Sequence, residues 1–390
     1  MTKSVLISGA GIAGLSAAWQ LLELGWQVTI VERATNLRSG GYLMSLSGPG
    51  LLSAYDMGFK DALHAQHNSM QTSTFINKKG KKIWSLNYPD ALQDIDWITL
   101  PRTNLVNILY EAVVDRADIL FGTHATKIHT EKDKAFIQLS NDRNMTVDLY
   151  IGADGVRSSS RNIIFGTDYT KNLGYNCAAF ELTNTTGIEQ CSFTYGEPGR
   201  LTEFYSLSSG KTAVLQIWKD NLPKTVLKED KKRVILDAYA GAHPKVLKAI
   251  LEHPNDQELY FDVLQMIQMP KWSSGRCLLL GDAAHCLTLA SGQGASMALK
   301  SAAVLGEVLA QYPDVNKALN EHENLLRPLI EDIQSRTKKI IRGYVPSTMF
   351  TFWLRNILFR FLPNRWIGSY VIKSIQKEIN LTNKVLHRHK

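Results

Sequence analysis

Val5-Leu6-Ile7-Ser8-Gly9-Ala10-Gly11-Ile12-Ala13-Gly14-Leu15 is the stretch that decides the architecture of this 390-residue chain. Val5–Ile7 is a short apolar run that stops at a glycine, as a strand buried on both faces does. From Gly11 to Leu24 the pattern turns helical, with Leu15, Ala18, Trp19 and Leu22 recurring on one face, and Gly25 ends it as a C-terminal cap. Val28-Thr29-Ile30-Val31 predicts a second strand, closed by Glu32. Strand, glycine turn, helix, strand and acid make up the frame of a dinucleotide-binding unit. Within it Gly9 permits the tight turn, Gly11 lets backbone amides approach a pyrophosphate, and Gly14 lets the helix lie close on the strand. Ala13 belongs to the same turn. The helix N-terminus adds partial positive charge for the phosphates. Glu32, 18 residues after Gly14, is placed to accept from a ribose hydroxyl, and Arg33 beside it is a further candidate cofactor contact. The fingerprint does not by itself separate NAD from FAD.

Two later motifs make that separation. Leu149-Tyr150-Ile151-Gly152-Ala153-Asp154-Gly155 reads as a strand running into a turn that exposes Asp154, with Ser158 and Arg161 following. Cys277-Leu278-Leu279-Leu280-Gly281-Asp282-Ala283-Ala284-His285 reads as another buried strand ending in an acid. A helix N-terminus then follows at Gly292-Gln293-Gly294-Ala295-Ser296. Pro101-Arg102-Thr103-Asn104-Leu105 opens a further helix with proline near its start.

The order and spacing of these motifs resemble the FAD-dependent aromatic hydroxylases, the single-component flavin monooxygenases typified by p-hydroxybenzoate hydroxylase. The resemblance implies a Rossmann-like α/β domain for FAD, an inserted antiparallel sheet that covers the flavin and shapes the substrate pocket, and a C-terminal helical segment. It implies that Asp154, with Arg161 in support, touches FAD and the path of NADPH or NADH. Asp282 is then the ribityl contact, Arg102 a contact to FAD, and Gly292, Gly294 and Ala295 the helix end aimed at the flavin pyrimidine ring. Reduced flavin is anionic at that edge, where a helix dipole favours negative charge. Arg38, beside Gly40-Gly41, is a candidate for FAD or nicotinamide phosphates. The reaction implied is NAD(P)H-driven insertion of one oxygen atom of O2 into a phenolic or enolic carbon, through a flavin C4a-hydroperoxide, so no catalytic side chain is required. His285 is expected to order its loop rather than act as a base.

The chain also departs from the family pattern. Cys286-Leu287-Thr288-Leu289-Ala290-Ser291 lacks the expected proline, and Lys300-Ser301 stands where an acid is usual. A less rigid flavin edge is the expectation. No WxWxIP string is present, which argues against a flavin halogenase.

Length allows two domains with a sizeable core. The boundaries read from composition are 1–71, 98–171 and 272–335 for a discontinuous FAD domain, 72–97 and 172–271 for the substrate domain, and 336–390 for the tail. The segments 177–182, 191–195, 201–205 and 212–218 are strand-like, rich in β-branched and aromatic residues between Gly, Pro, Ser and Asn clusters. Thr72–Trp84 is expected to join their sheet, and Tyr205, Gln216 and Trp218 are its candidate substrate contacts. Cys177, Cys191, Cys277 and Cys286 show no paired spacing for a metal or a disulfide framework. With a first strand starting almost at once, they point to a reducing cytoplasm.

The basic balance of the chain, formally +8, belongs to its tail: residues 336–390 carry twelve Lys and Arg against one acid, Glu378. Aromatics crowd the same region, including Phe350, Phe352, Trp353, Phe359, Phe361 and Trp366. Met349–Leu362 is too short and too charged to span a bilayer. Packing across both domains beside the substrate entrance is the expected role. Peripheral contact with an anionic membrane is the second reading, and nucleic acid is set last for want of a recognition motif. The tail and the GDAAHxxxxxSGQG string resemble the tetracycline destructases, which inactivate those antibiotics by oxygen insertion. The expectation is a monomer acting on a phenolic or polycyclic small molecule, with antibiotic resistance as the consequence. A membrane-associated hydroxylase of a quinone or isoprenoid precursor and a non-catalytic flavin sensor are the alternatives.

Overall fold

The computed structural model describes residues 2–37, 42–183, 191–220, 231–253, 259–363, 366, 369, 373 and 376–380. Arg38 and the side chain of Cys191 lie outside the described residues.

The first strand, Ser4–Ser8, lies at the centre of a parallel sheet. Leu149–Gly152 flanks it on one side and then Cys277–Leu279, while Gln27–Glu32 and Asp118–Phe121 follow on the other. A short strand, Ser273–Ser274, runs antiparallel at the edge. Val5, Leu6 and Ile7 are at most 1% exposed, as a strand covered on both faces requires. The helix Ile12–Glu23 packs over this sheet through Leu15, Ala17, Ala18 and Leu21; Trp19 and Leu22 sit at the margin of that face. It ends in a paired-bond cap, with Trp26 N–H on Leu21 C=O at 2.9 Å and Gly25 N–H on Leu22 C=O at 3.0 Å. Gly25 has φ +74°, a backbone setting that glycine adopts without strain. The helix expected at Pro101 begins at Arg102, with Pro101 as its N-cap and the last residue of strand Trp97–Pro101.

A three-stranded meander, Ala125–Glu131, Lys134–Leu139 and Asn144–Val147, covers the opposite face around Leu6, Tyr150 and Cys277. Nothing in the motif reading pointed to it, because its alternation is that of an ordinary half-exposed hairpin.

The inserted sheet has seven strands in the order Tyr260–Ile267, Thr170–Leu182, Thr212–Lys219, Arg200–Ser206, Cys191–Glu197, Thr72–Ile76 and Lys82–Asn87. It is antiparallel at every pairing but one: Cys191–Glu197 runs parallel to Thr72–Ile76. That junction joins segments far apart in the chain, so no hairpin dictates its direction. The expected contribution of Thr72–Trp84 is thus an edge hairpin, whose turn Asn77 Oδ1 closes by accepting from the Lys79 and Lys81 amides at 2.9 and 3.0 Å. The outer face of the sheet packs on helices Lys231–Ala238 and Pro244–Glu252 through Tyr195, Phe204 and Trp218.

The 30-residue helix Val315–Tyr344 ties the two parts together. Leu326, Leu329, Ile330 and Ile333 enter the core of the parallel-sheet domain, and Ile341 enters the cluster on the inner face of the seven-stranded sheet. The bridging element therefore starts some twenty residues earlier than composition suggested; its charged outer face hid the stripe beneath. After it, Thr348 and Thr351 form a reciprocal capping box for helix Met349–Phe361, which rests on the edge hairpin through Phe359 on Trp84 at 5.0 Å.

Candidate active-site cleft

Adjacent parallel strands bring three distant motifs to one edge. Ser8, Gly152 and Leu279 end neighbouring strands, and the turns beyond them touch. A Cβ on Gly9 would lie 2.5 Å from the Ala153 carbonyl oxygen, and one on Gly281 would lie 2.7 Å from Ala13 Cβ. Gly9 also has φ +111°. Opposite this edge stands the inner face of the seven-stranded sheet, and between them lies a cleft of about 400 Å³. A crevice outside the carboxyl ends of parallel strands is where open α/β sheets bind their ligands.

The residues of the first motif fit a pyrophosphate. Gly11 is the N-cap of Ile12–Glu23 and offers no side-chain cap, so the first amides of that helix face the cleft without a side-chain partner from the cap. A Cβ on Gly11 would meet nothing closer than Arg102 Nη2 at 3.8 Å, which puts the guanidinium directly across the turn. Gly14 plays the packing role: a Cβ there would sit 1.9 Å from the Gly9 carbonyl oxygen. Glu32 clamps the turn, accepting from the Ala10 and Ala34 amides at 2.9 Å each. Its oxygens retain lone pairs for a ribose. Arg33 is exposed and donates to Ser159 Oγ at 3.1 Å, away from the cleft lining.

The middle motif behaves differently from the expectation. Asp154 is not an exposed turn carboxylate; it is half-buried and folded back onto its own loop. Ser158 Oγ donates to it, as do Ser159 Oγ at 3.1 Å and the Ser160 amide and hydroxyl at 2.9 Å each. A carboxylate one turn ahead of helix Ser159–Phe165 is stabilised by that helix start, which accounts for its orientation. Arg161 is buried and bonds the Ala283 carbonyl at 3.0 Å and the Val156 carbonyl at 2.8 Å. Its observed contacts lock the middle motif to the late one.

The late motif lines the cleft. Asp282 opens the short helix Asp282–His285, is exposed, and lines the cleft. Desolvation by the surrounding cleft walls raises its carboxyl from the usual value, and Arg102 pulls in the opposite direction. Gly292, Gly294 and Ala295 border the same space, and Gly294 begins the 18-residue helix Gly294–Gln311, again with no side-chain cap. Thr288, in the stretch lacking the expected proline, has φ +63° and ψ 153°, a setting that costs a β-branched residue ~1–3 kcal/mol. The loop is strained as well as proline-free. Lys300 is buried and reaches Glu307 at 3.8 Å, outside the cleft lining.

His285 is buried, lies 3.2 Å from Ser301 Oγ and packs on Trp272. Burial lowers it to about 3, and burial lowers nearby His322 to about 4. Both folded values lie below the unfolded one, so their contribution to stability is complete above about pH 6.5 and is lost as pH falls toward the folded values. Each histidine should therefore add up to about 1.4 kcal/mol of lost stability per pH unit in that window. Urea midpoints at pH 7 and pH 5 should converge more for His322→Gln than for the parent; parallel curves would contradict the assignment.

On the sheet wall, strand alternation sorts the substrate candidates. Tyr205 lines the cleft, with Leu215 and Ile217 from the neighbouring strand. Gln216 and Trp218, one residue out of phase, face the other way; Trp218 packs on Tyr239 and Phe261, and Gln216 is fully buried near Thr202 Oγ1 at 3.5 Å. They are not cleft residues, because successive side chains in a strand point to opposite faces.

The motif reading missed Glu203. It is 6% exposed, borders the cleft, and accepts hydrogen bonds from Tyr205 and Tyr344, with Thr194 Oγ1 at 3.5 Å. Burial pushes its carboxyl upward, against the pull of those three hydroxyls. An acid in phase with Tyr205 in an apolar strand was the available signal. Tyr344 carried none, since it arrives from the end of the bridging helix.

The profile of the FAD binding domain family matches residues 2–314. A flavin-dependent monooxygenase from an unknown prokaryotic organism is 28% identical over 341 residues, covering 86% of this chain and 88% of its own length. Aurachin C monooxygenase/isomerase of Stigmatella aurantiaca is 25% identical, covering 96% and 98%. Among solved structures, tetracycline destructase Tet(55) aligns at a TM-score of 0.81 and 24% identity over 92% of this chain and 95% of its own. HpxO of Klebsiella pneumoniae, solved with FAD and uric acid, aligns at 0.83 and 20% over 96% and 97%. Both solved proteins share the fold described here.

Proposed function

The chain belongs to the FAD binding domain family, and on that premise we propose that this flavin-dependent monooxygenase uses NADPH, or NADH in its place, to insert one oxygen atom of O2 into an electron-rich carbon of a phenolic or enolic polycyclic substrate. Tetracyclines are the leading candidate class. The observation that carries the reading is a cleft lined on one side by Gly11, Arg102, Asp282 and the Gly294 helix end and on the other by the Glu203–Tyr205–Tyr344 cluster.

Bound FAD supplies the electron transfer and oxygen activation. The protein groups divide the remaining work. The first amides of helix Ile12–Glu23 and Arg102 would hold the pyrophosphate, Glu32 a ribose, and Asp282 the ribityl hydroxyls. The helix end at Gly294 favours negative charge placed beside it. Across the cleft, Glu203, oriented by the hydroxyls of Tyr205 and Tyr344, offers a proton acceptor for an ionising substrate hydroxyl, while Leu215 and Ile217 keep water from that wall. The Tet(55) likeness and the phenol–diketone chemistry of tetracyclines support the substrate class.

Purified yellow protein should consume NADPH faster when a tetracycline is added, with a product one oxygen atom heavier by mass spectrometry. Bound flavin with no response to tetracyclines or simpler polycyclic phenols would overturn the substrate reading.

A further inference from the structure

Helix Met349–Phe361 is built the wrong way round for a helix whose packing ends at this chain. Its protein-facing side carries Phe352, Arg355, Asn356 and Phe359. Phe359 meets Trp84, and a Cβ on Gly196 would lie 3.4 Å from the Phe352 ring. Arg355 turns inward to the Tyr344 carbonyl at 2.8 Å. The opposite side holds Met349, Phe350, Trp353, Leu354, Leu358 and Phe361, which at about 100° per residue all fall on one half of the helix. They are 42–78% exposed, and Trp366 just beyond is 68% exposed. Patches of this size on a soluble protein mark an interaction surface.

Charge identifies the partner. The tail from 336 to 390 carries twelve cations and one acid, and that acid, Glu378, is 1% exposed and bonded by Arg336 at 2.7 Å. Lys339, Arg342, Arg360 and Lys373 are exposed along the same segment. A second copy would bring two such cationic surfaces together, which repel. Residues 381–390 carry Leu381, Val385 and Leu386 as their large apolar residues, too few to cover seven. Among the described residues no helix is long and apolar enough to cross a membrane.

We propose that helix Met349–Phe361 lies on an anionic lipid surface, with its Phe, Trp and Leu side chains at the headgroup–acyl boundary and the flanking Lys and Arg on the phosphates. This is the arrangement that a basic helix with a broad apolar face adopts in the interface. Only residues 345–348 separate this helix from Tyr344 in the cleft wall, so the lipid surface would lie beside the cleft. The placement is independent of the substrate proposed above.

The test is co-sedimentation of the flavin-loaded full chain with vesicles. Pelleting is expected with phosphatidylcholine containing phosphatidylglycerol, little with phosphatidylcholine alone, release by salt, and a blue shift of tryptophan emission on binding. The Phe350→Ser/Trp353→Ser/Phe361→Ser variant should bind at least about 100-fold more weakly, with flavin content and turnover unchanged. Absence of pelleting with anionic vesicles would overturn the proposal, as would pelleting that is indifferent to lipid charge. A salt-resistant dimer that the triple variant abolishes, without vesicle binding, would assign the face to a second copy instead. The charge and salt dependence of the parent protein decides the matter even if the variant fails to fold.

Discussion

Gly11→Asp is expected to lower FAD affinity by at least about 100-fold, equivalent to roughly 3 kcal/mol, while leaving the apoprotein folded. The position has room, since Arg102 Nη2 at 3.8 Å is the nearest atom to a Cβ there. Its φ is −87°, so a side chain meets no backbone strain. An aspartate would place its charge at the proposed pyrophosphate position and would pair with the Arg102 guanidinium across the turn. Flavin absorbance after gel filtration and the melting temperature of the apo form separate the two effects. Gly14→Ala is the structural contrast: its Cβ would sit 1.9 Å from a backbone oxygen, so helix and strand must part. Overpacking of that kind costs ~1–3 kcal/mol or more and should lower stability as well as flavin content. If Gly11→Asp retains full flavin, the pyrophosphate does not lie at this turn.

Glu203→Gln is expected to lower kcat/KM on a phenolic substrate by ~10²-fold with flavin content intact, the usual scale for removing a positioned proton acceptor. Glutamine keeps the size of the side chain but cannot take up a proton. The stability signature runs separately. Burial raises the folded carboxyl above its unfolded value, so the folded state holds the proton more tightly. Its stabilising contribution is fully present below the unfolded value of about 4.3 and declines as pH rises through the folded one. Glutamine has no such decline, so the melting temperature of Glu203→Gln should gain on that of the parent as pH rises. A pH-independent gap, or unchanged kinetics, would remove Glu203 from the site. Tyr344→Phe should share part of the kinetic loss, because its hydroxyl bonds the same carboxylate.

Much of the parallel-sheet wall of the cleft was legible in the chain. Gly9, Gly11 and Gly14 act through backbone clearance, and such roles follow from local spacing because strand, turn and helix are contiguous. Gly292, Gly294 and Ala295 were readable for the same reason: a helix start is a local event. Asp154 was located correctly on its turn, but its orientation depended on three serines competing for its oxygens, and that competition is settled by the fold of the loop. Gln216 and Trp218 failed on phase. Once Tyr205 faces the cleft, the register pairing Tyr205 with Ala213 puts Leu215 and Ile217 on its side and turns Gln216 and Trp218 away.

By itself, then, the chain determined its dinucleotide-binding unit, the family to which it belongs, the presence of an inserted sheet and the charge of its tail, because periodicity, glycine placement and composition are properties of contiguous residues. Only the tertiary structure decided which distant residues line the cleft together. Glu203 comes from a strand, Tyr344 from the end of a 30-residue helix and Asp282 from a turn, and no spacing rule links them. The same holds for the exposed face of Met349–Phe361, since which half of an apolar helix meets solvent is set by the partners that the rest of the fold offers it, here Trp84 and Gly196.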